Sequence, residues 1–245
     1  MDINILFVII GVVFISTLTR STFGFGDALI AMPLLALFID IKIATPLVAL
    51  IAFFIAISIL IRSWQRVEIK SAWRLIVSSL IGIPIGLWFL DDINENIIKL
   101  VLGIIVLFFA IYSLVKPKLH QLKGEKLSWL FGFIAGILGG AYNTNGPPIV
   151  IYSSLKKWNP ENFRATLQGY FFTTGILVIT GHGIAGNFTK EVLLYFICTL
   201  PIVILAIYLG RIYNKRISHN FYKYIYIILI VIGSLLIYNS INNII

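Results

Sequence analysis

The chain has 245 residues, of which 59% are hydrophobic and only 12% are charged, and its formal net charge is +9. Long apolar runs in such a composition indicate an all-α integral membrane protein. The positive charge does not indicate nucleic-acid binding, because the basic residues lie in short loops between apolar segments. The single cysteine, Cys198, excludes a disulfide framework or a cysteine-based metal site within one chain.

The first long segment, residues 3–39, is apolar at both ends and is interrupted by residues 19–27, which read TRSTFGFGD. A charged residue in the middle of a bilayer costs roughly 3 kcal/mol on insertion scales and is a functional candidate by default. Arg20 and Asp27 both lie in this interruption. We therefore predict a broken helical hairpin, with Asp27 as the N-cap of its returning half.

The remainder of the chain contains a second broken stretch and further apolar segments that are long enough to span a bilayer. Three predicted spans follow the first hairpin, at 43–61, 72–90 and 97–115. The second broken hairpin covers 128–157, and three more spans follow it, at 163–180, 191–209 and 221–240.

The second break lies where an apolar run reaches Gly139 and Gly140 and stops. Residues 141–146 continue a helix poorly, and Pro147 and Pro148 follow them. Glycine costs about 1 kcal/mol and proline about 3 kcal/mol inside a helix, whereas proline is tolerated at the first helical position. We predict that a new half-helix starts at Pro147, with Thr144 or Asn145 as its N-cap.

The distribution of lysine and arginine distinguishes two ways of threading these segments through the membrane. If each broken stretch crosses the membrane, the basic residues other than Arg20 divide nine to nine between the two sides. If each dips in and returns, three (Lys42, Lys99 and Lys190) lie on one side and fifteen on the other. Cytoplasmic loops carry an excess of basic residues, which favours the second threading. The fifteen are Arg62, Arg66, Lys70, Arg74, Lys116, Lys118, Lys123, Lys126, Lys156, Lys157, Arg164, Arg211, Lys215, Arg216 and Lys223.

The predicted architecture is therefore two inverted repeats, residues 1–117 and 126–245, each a re-entrant broken hairpin plus three transmembrane helices. Both repeats form one integrated membrane domain, which we expect to be multi-pass in the inner or plasma membrane with its basic loops in the cytoplasm. Inverted repeats whose broken helices meet near the midplane are typical of secondary transporters.

The residues at the two breaks favour binding of a small anion. Half-helix N-termini present unpaired N–H groups and partial positive charge, and the forked guanidinium groups of Arg20 and Arg164 suit oxyanions. Three alternatives remain open: Arg20 pairs structurally with Asp27, Arg164 is an interfacial residue, and Asp27 carries a coupling proton. The predicted substrate-binding residues are Arg20, Phe23, Gly24, Gly26, Asp27, Tyr142, Asn143, Thr144, Asn145, Gly146, Arg164 and Gln168.

The chain resembles the TauE/SafE family of sulfite and organosulfonate exporters over essentially its whole length. The residues that carry the resemblance are RSTFGFGD at 20–27, PLL at 33–35, the stretch 136–148 that ends in Gly-Pro-Pro, and FRATL at 163–167. They are similar to the branch with arginine before Gly-Phe-Gly. The resemblance implies a secondary transporter that exports a small sulfur-containing anion, such as sulfite, sulfoacetate or a related organosulfonate, from a mid-membrane site between the half-helix tips.

Other functions remain as alternatives. One alternative is a transporter or channel for another small organic anion, such as a carboxylate. A second alternative is a membrane scaffold that transports nothing. We do not expect an enzyme, because the sequence contains neither H-E-x-x-H nor G-x-S-x-G and its three histidines fall in predicted loops. We expect no catalytic residue, no metal, no cofactor and no nucleic-acid partner. The expected partners are the small anion, the lipid bilayer and, through small-residue helix faces, a second copy in a homodimer.

Overall fold

The structure is a computed structural model that describes residues 3–115, 124–158, 160–213 and 219–244. All regular structure within these ranges is helical, which confirms the predicted all-α class. A 3₁₀ turn, Trp64–Arg66, follows the third helix. The basic residues Lys116, Lys118, Lys123, Lys215 and Arg216 lie outside the described residues. The helices are α1 (Ile3–Phe23), α2 (Asp27–Leu35), α3 (Ile41–Ser63), α4 (Ile69–Asp92), α5 (Glu95–Val115), α6 (Lys126–Tyr142), α7 (Gly146–Lys156), α8 (Pro160–Ile184), α9 (Lys190–Tyr213) and α10 (His219–Ile244).

Six helical segments in the described ranges are long and apolar enough to cross a membrane: Ile3–Phe23, Ile41–Arg66, Ala72–Leu90, Glu95–Val115, Lys190–Ile212 and Ile225–Asn243. Five of them coincide with predicted spans. The sixth is α1, which the sequence interpretation assigned to a re-entrant hairpin. The expected span 163–180 lies in α8, whose 25 residues are long enough to cross at about 1.5 Å per residue. Its lower apolar content keeps α8 out of the six.

The first break is narrower than predicted. α1 continues through Arg20 to Phe23 and leaves only residues 24–26 between the two half-helices. The polar residues do not end the helix, because their hydroxyls bond within it: Thr19 donates to the carbonyl of Ile15 and Thr22 to that of Leu18. Inside membrane helices, serine and threonine hydroxyls commonly donate a hydrogen bond to the carbonyl four residues earlier.

The predicted N-cap of α2 is wrong, whereas the N-cap of α7 is Asn145, one of the two residues predicted for it. Gly26, in the left-handed conformation with φ of 99°, precedes α2, and Asp27 is the first helical residue. α7 begins at Gly146 rather than Pro147. Asn145 occupies its cap position without a capping side-chain hydrogen bond. The side chains of Asp27 and Asn145 instead contact other helices.

The helix pairs match between the two halves when α1 to α5 are exchanged with α6 to α10. α1 packs on α9 as α4 packs on α6, and α3 pairs with α8 and α5 with α10. Individual contacts repeat this relationship. Phe53 of α3 stacks on Phe172 of α8 with ring centroids 5.5 Å apart. A Cβ on Gly103 of α5 would lie 3.1 Å from the carbonyl oxygen of Gly233, and the converse distance is also 3.1 Å.

Glycine allows the closest of these helix pairs. A Cβ added to Gly82 or Gly86 of α4, or to Gly136 of α6, would overlap backbone atoms of the facing helix. The hydroxyl of Ser79 on α4 donates to the carbonyl of Gly132 on α6 at 2.7 Å. Small residues at a helix interface let backbones approach closely in this manner. The pair holds α6 and therefore the second break in place.

Candidate functional site

Both breaks open onto one cavity, which α3 and α8 complete. The cavity volume is about 20 Å³, enough for one or two waters. The cavity is therefore small. Its lining comprises Arg20, Gly26, Asp27, Ala28, Leu29, Ala49, Ala52, Phe53, Asn143, Thr144, Asn145, Gly146, Pro147, Phe171 and Gly175.

Arg20 is the largest polar side chain in this lining, and only 2% of it is exposed. It sits in the last turn of α1, so its guanidinium reaches across the break. Nη1 donates to Asp27 at 2.7 Å, whereas Nε and Nη2 both donate to Oε1 of Gln168, at 3.3 and 3.1 Å. The ring of Phe171 covers one face, with its centroid 4.6 Å from Cζ. Burial of this arginine is tolerated because each guanidinium nitrogen has a partner.

Asp27 lies at the start of α2, where the partial positive charge of the helix terminus also favours a carboxylate. Its side chain is 10% exposed, and its Oδ2 atom accepts the hydrogen bond from Arg20. The structural pairing of these residues, one of the alternatives from the sequence, thus has the geometry of a buried ion pair. Gly26 allows the close turn that brings them together, since φ of 99° is strained for other residues.

Gln168 connects the second half of the chain to the first break. Besides accepting from Arg20, it donates from Nε2 to the carbonyl oxygen of Gly24 at 2.7 Å. The side chain is buried and does not itself line the cavity. It positions the guanidinium and the break backbone together.

The second break contributes polar side chains without internal partners. Asn143 ends α6 in the left-handed conformation, with φ of 55°. In the described part of the chain, Asn143 Nδ2 and Thr144 Oγ1 are buried and lack hydrogen-bond partners. Asn145 donates to the hydroxyl of Thr174 at 3.3 Å. Buried polar groups of this kind are usually satisfied by ordered water or by a ligand.

The backbone of the second half-helix supplies fewer donors than the sequence interpretation assumed. The first turn of α7 contains Pro147 and Pro148, which have no N–H group. On this side of the cavity, the unpaired polar groups belong to the side chains of Asn143 and Thr144. At α2, whose first turn contains no proline, backbone donors remain.

Arg164 lies beside the first break but does not line the cavity. Its Nη2 donates to the carbonyl oxygen of Thr22 at 2.6 Å, near the C-terminal end of α1. A cation is favourable there because the terminal carbonyls carry partial negative charge. Its aliphatic part lies against Gly24, where a Cβ would be 3.3 Å from the Arg164 Cγ. This side chain supports the first break from outside the cavity.

The structure thus brings together seven of the twelve predicted site residues in the cavity lining: Arg20, Gly26, Asp27, Asn143, Thr144, Asn145 and Gly146. Gly24 lies within the first break, and Arg164 and Gln168 contact that break from outside the cavity. Phe23 lines a neighbouring cleft instead. Tyr142 is buried in the main apolar core and is absent from the cavity lining.

The apolar wall of the cavity was not predicted from the sequence. Phe171 and Gly175 follow Gln168 at spacings of three and seven residues, so they lie on the same face of α8. Ala49, Ala52 and Phe53 form one face of α3 at the equivalent place. Helical spacing from Gln168 was the available signal for the α8 residues.

The comparisons with known proteins show the family of this chain. The model of the family described as "Sulfite exporter TauE/SafE" matches residues 8–237, and this confirms the resemblance drawn from the motifs. The chain is also 24% identical, over 147 residues, to the "Probable sulfite/organosulfonate exporter TauE" of Cupriavidus necator. That alignment spans 57% of this chain and 57% of the relative's length. No solved structure matches the chain.

Members of this family are transporters rather than enzymes. The family match extends over both breaks, all of α2 to α9 and most of α1 and α10. The chain therefore belongs to the TauE/SafE family.

Proposed function

We propose that the protein is a secondary transporter that exports a small sulfur-containing anion: sulfite, sulfoacetate or a related organosulfonate. The anion binds in the cavity between the two breaks. The observation that carries this proposal is the buried Arg20 in one cavity with the unpartnered donors of Asn143 and Thr144. The protein resides in the inner or plasma membrane with its basic loops in the cytoplasm, as the charge distribution favours.

The chemistry of the donors supports an oxyanion rather than a cation. Arg20, Asn143 and Thr144 all present N–H or O–H groups, and α2 directs its N-terminal end to the same cavity. A sulfonate or sulfite group has three oxygens that accept such bonds. Charge-assisted hydrogen bonds to an arginine are about twice as strong as neutral ones.

The dimensions of the cavity support a compact head group. Space for one or two waters matches a three-oxygen group better than a bulky organic anion. Phe53 and Phe171 form the apolar side of the cavity and would face the short carbon chain of an organosulfonate. This apolar side supports the inclusion of small sulfonates beside sulfite in the proposal.

An asymmetry between the halves supports a carrier with alternating access. The apolar cleft between α5 and the α6–α7 hairpin holds about 400 Å³ and includes Phe108 and Pro147. The matching cleft between α10 and the α1–α2 hairpin, lined by Phe23 and Tyr226, holds only about 20 Å³. When two inverted repeats rock about a central site, one of the two matching clefts is open while the other is closed. The unequal volumes of these two clefts fit such a motion.

The experiment is a thermal-shift measurement on purified protein with sulfite, sulfoacetate, isethionate, acetate and phosphate. A ligand that binds the native state raises the unfolding temperature by mass action. We expect shifts with sulfite or the sulfonates and their loss in Arg20→Gln. The matched control is Arg62→Gln, an exposed arginine on α3 that should behave as wild type.

The same variants, reconstituted in liposomes, test transport. Efflux of a sulfonate by wild type and by Arg62→Gln, but not by Arg20→Gln, supports the proposal. A shift with acetate alone would favour the carboxylate alternative. Binding without any flux would favour the scaffold alternative, and no shift with any anion contradicts the anion site.

A further inference from the structure

We infer that Asp27 is a proton-binding site and that the anion and one proton are carried together; this inference rests on the proposed function. It starts from the shared partner of the two negative groups. Asp27 already accepts from Nη1 of Arg20 at 2.7 Å, and Gln168 accepts from the other two nitrogens. Phe171 covers one face of the guanidinium. One N–H group on each of Nη1 and Nη2 remains for an anion that approaches from the cavity, and this anion would share the single positive charge of Arg20 with Asp27.

Charge balance decides the outcome of that sharing. Arg20 and Asp27 are the charged side chains in the cavity lining, as far as the described residues define it. The empty site is therefore neutral, and entry of an anion leaves two negative groups beside one guanidinium. A buried net charge is expensive, and like charges that share a site drive one of them to bind a proton. One proton on Asp27 makes the loaded site neutral again.

The anion would also take over the second favourable interaction of the Asp27 carboxylate. Asp27 stands at the N-terminal end of α2, where the helix terminus favours negative charge. An anion between α2 and the unpartnered groups of Asn143 and Thr144 would supply that charge itself. The Asp27 carboxylate then shares both its arginine partner and its helix terminus with the anion.

Among the residues whose contacts are described, the neighbouring helices place no second carboxylate beside Arg20 that could bind the proton instead of Asp27. α8 presents Gln168 together with Arg164, which bonds Thr22, and α3 presents only apolar and small residues. The nearby titratable side chains on α6 and α10 are tyrosines, Tyr142 and Tyr226. On α9, Gly210 packs against α1 and the adjacent Arg211 is exposed.

In the transport step, a proton from the aqueous side where the anion enters bonds to an Asp27 carboxylate oxygen while the anion binds Arg20. On the opposite side the anion leaves, the proton returns to water, and Asp27 pairs with Arg20 again. The carried unit is neutral for a monovalent anion. Efflux would then follow the anion and proton gradients and would not respond to the membrane potential.

The test is proton uptake on ligand binding, measured by calorimetry in buffers of different ionisation enthalpy. Isethionate is the probe, because its sulfonate stays ionised at every pH used and exchanges no protons itself. We expect wild type to take up about one proton for each anion bound. Its affinity for isethionate should then fall by up to about tenfold for each unit by which the pH is raised. Asp27→Asn, which imitates the protonated form, should take up none and should bind more tightly than wild type at alkaline pH.

The matched control is Asp40→Asn, because Asp40 also stands at a helix start but is exposed and lies outside the cavity. It should retain proton uptake. If Asp27→Asn does not fold, infrared difference spectra of wild type give the same answer: isethionate should generate a protonated carboxyl band. Binding without proton uptake or such a band overturns this inference alone. Failure of every anion to bind removes the proposed function as well.

Discussion

Gln168 and Arg20 are 148 positions apart, yet Oε1 of Gln168 accepts hydrogen bonds from both Nε and Nη2 of Arg20. The same amide donates to the carbonyl oxygen of Gly24. One side chain from the second half thus fixes the arginine and the break of the first half. Double acceptance by one oxygen matches the fork geometry of guanidinium.

Replacement of Gln168 by leucine should weaken anion binding by about tenfold to a hundredfold, the equivalent of about 1–3 kcal/mol for lost bonds to a buried charged group. Arg20 would lose the partner of two nitrogens and its fixed orientation. The measurement is the affinity for isethionate by calorimetry. Gln65→Leu is the control, because Gln65 is exposed in the 3₁₀ turn. Unchanged affinity in Gln168→Leu would show that Arg20 keeps its position without the amide.

The two roles of Asn143 can be separated by one substitution. Its backbone is left-handed with φ of 55°, which glycine adopts readily, whereas its Nδ2 atom is the unpartnered donor. Asn143→Gly should therefore preserve the unfolding temperature within a few degrees and reduce anion affinity by about fivefold, since one hydrogen bond is worth about 1 kcal/mol. A thermal scan with and without sulfite reports both quantities. A stable variant with wild-type affinity would remove Asn143 from the site.

Close packing of α4 against α6 predicts sensitivity to a single methyl group. A Cβ at Gly136 would overlap the backbone of Ser79, so Gly136→Ala must separate the helices. Overpacking of this kind costs about 1–3 kcal/mol, and the unfolding temperature should fall. Gly11→Ala is the matched control on α1, because nothing lies within 4 Å of its added Cβ. That variant should be neutral or gain up to about 1 kcal/mol from helix propensity. Equal unfolding temperatures for the two variants would contradict the observed packing.

Glu125 joins the start of α6 to the end of α7 and predicts a pH-dependent contribution to stability. Lys156 contacts its carboxylate at 2.6 Å and Tyr152 donates to it at 2.9 Å. The hydrogen bond from Lys156 is the largest effect, and it lowers the pKa of Glu125 below 4.5. The associated stability is present above pH 4.5 and is lost as the pH falls through the lowered pKa.

The comparison of wild type with Glu125→Gln checks this effect. The difference in unfolding temperature should be small, because the side chain is 42% exposed and such pairs contribute less than about 1 kcal/mol. It should be largest near neutral pH and vanish below the pKa of Glu125. Lys156→Met should reproduce the loss, and the double variant should add little to it. A difference that is constant with pH would contradict this assignment.

Much of the architecture follows from the sequence because it depends on local composition. Long apolar runs predicted an all-helical membrane protein, and glycine and proline located both breaks within a few residues. Arg20 and Asp27 were predicted as site residues because charged residues within an apolar segment are rare and are usually functional. The structure places both in the cavity lining. These inferences need no knowledge of which helices are neighbours.

The sequence was less informative where a residue's role depends on a partner from the other half. Thr19 and Thr22 read as break residues, but their hydroxyls bond inside α1 and prolong it. The roles of Gln168 and Phe171 arise only when α8 is packed against Arg20.

The N-caps show the same limit. Asp27 was predicted to cap α2, but its carboxylate instead pairs with Arg20 across the break. Composition and periodicity constrain single helices because their hydrogen bonds are local. The shape and charge of the cavity result from side chains that meet over more than a hundred positions, and only packing of the helices brings them within bonding distance.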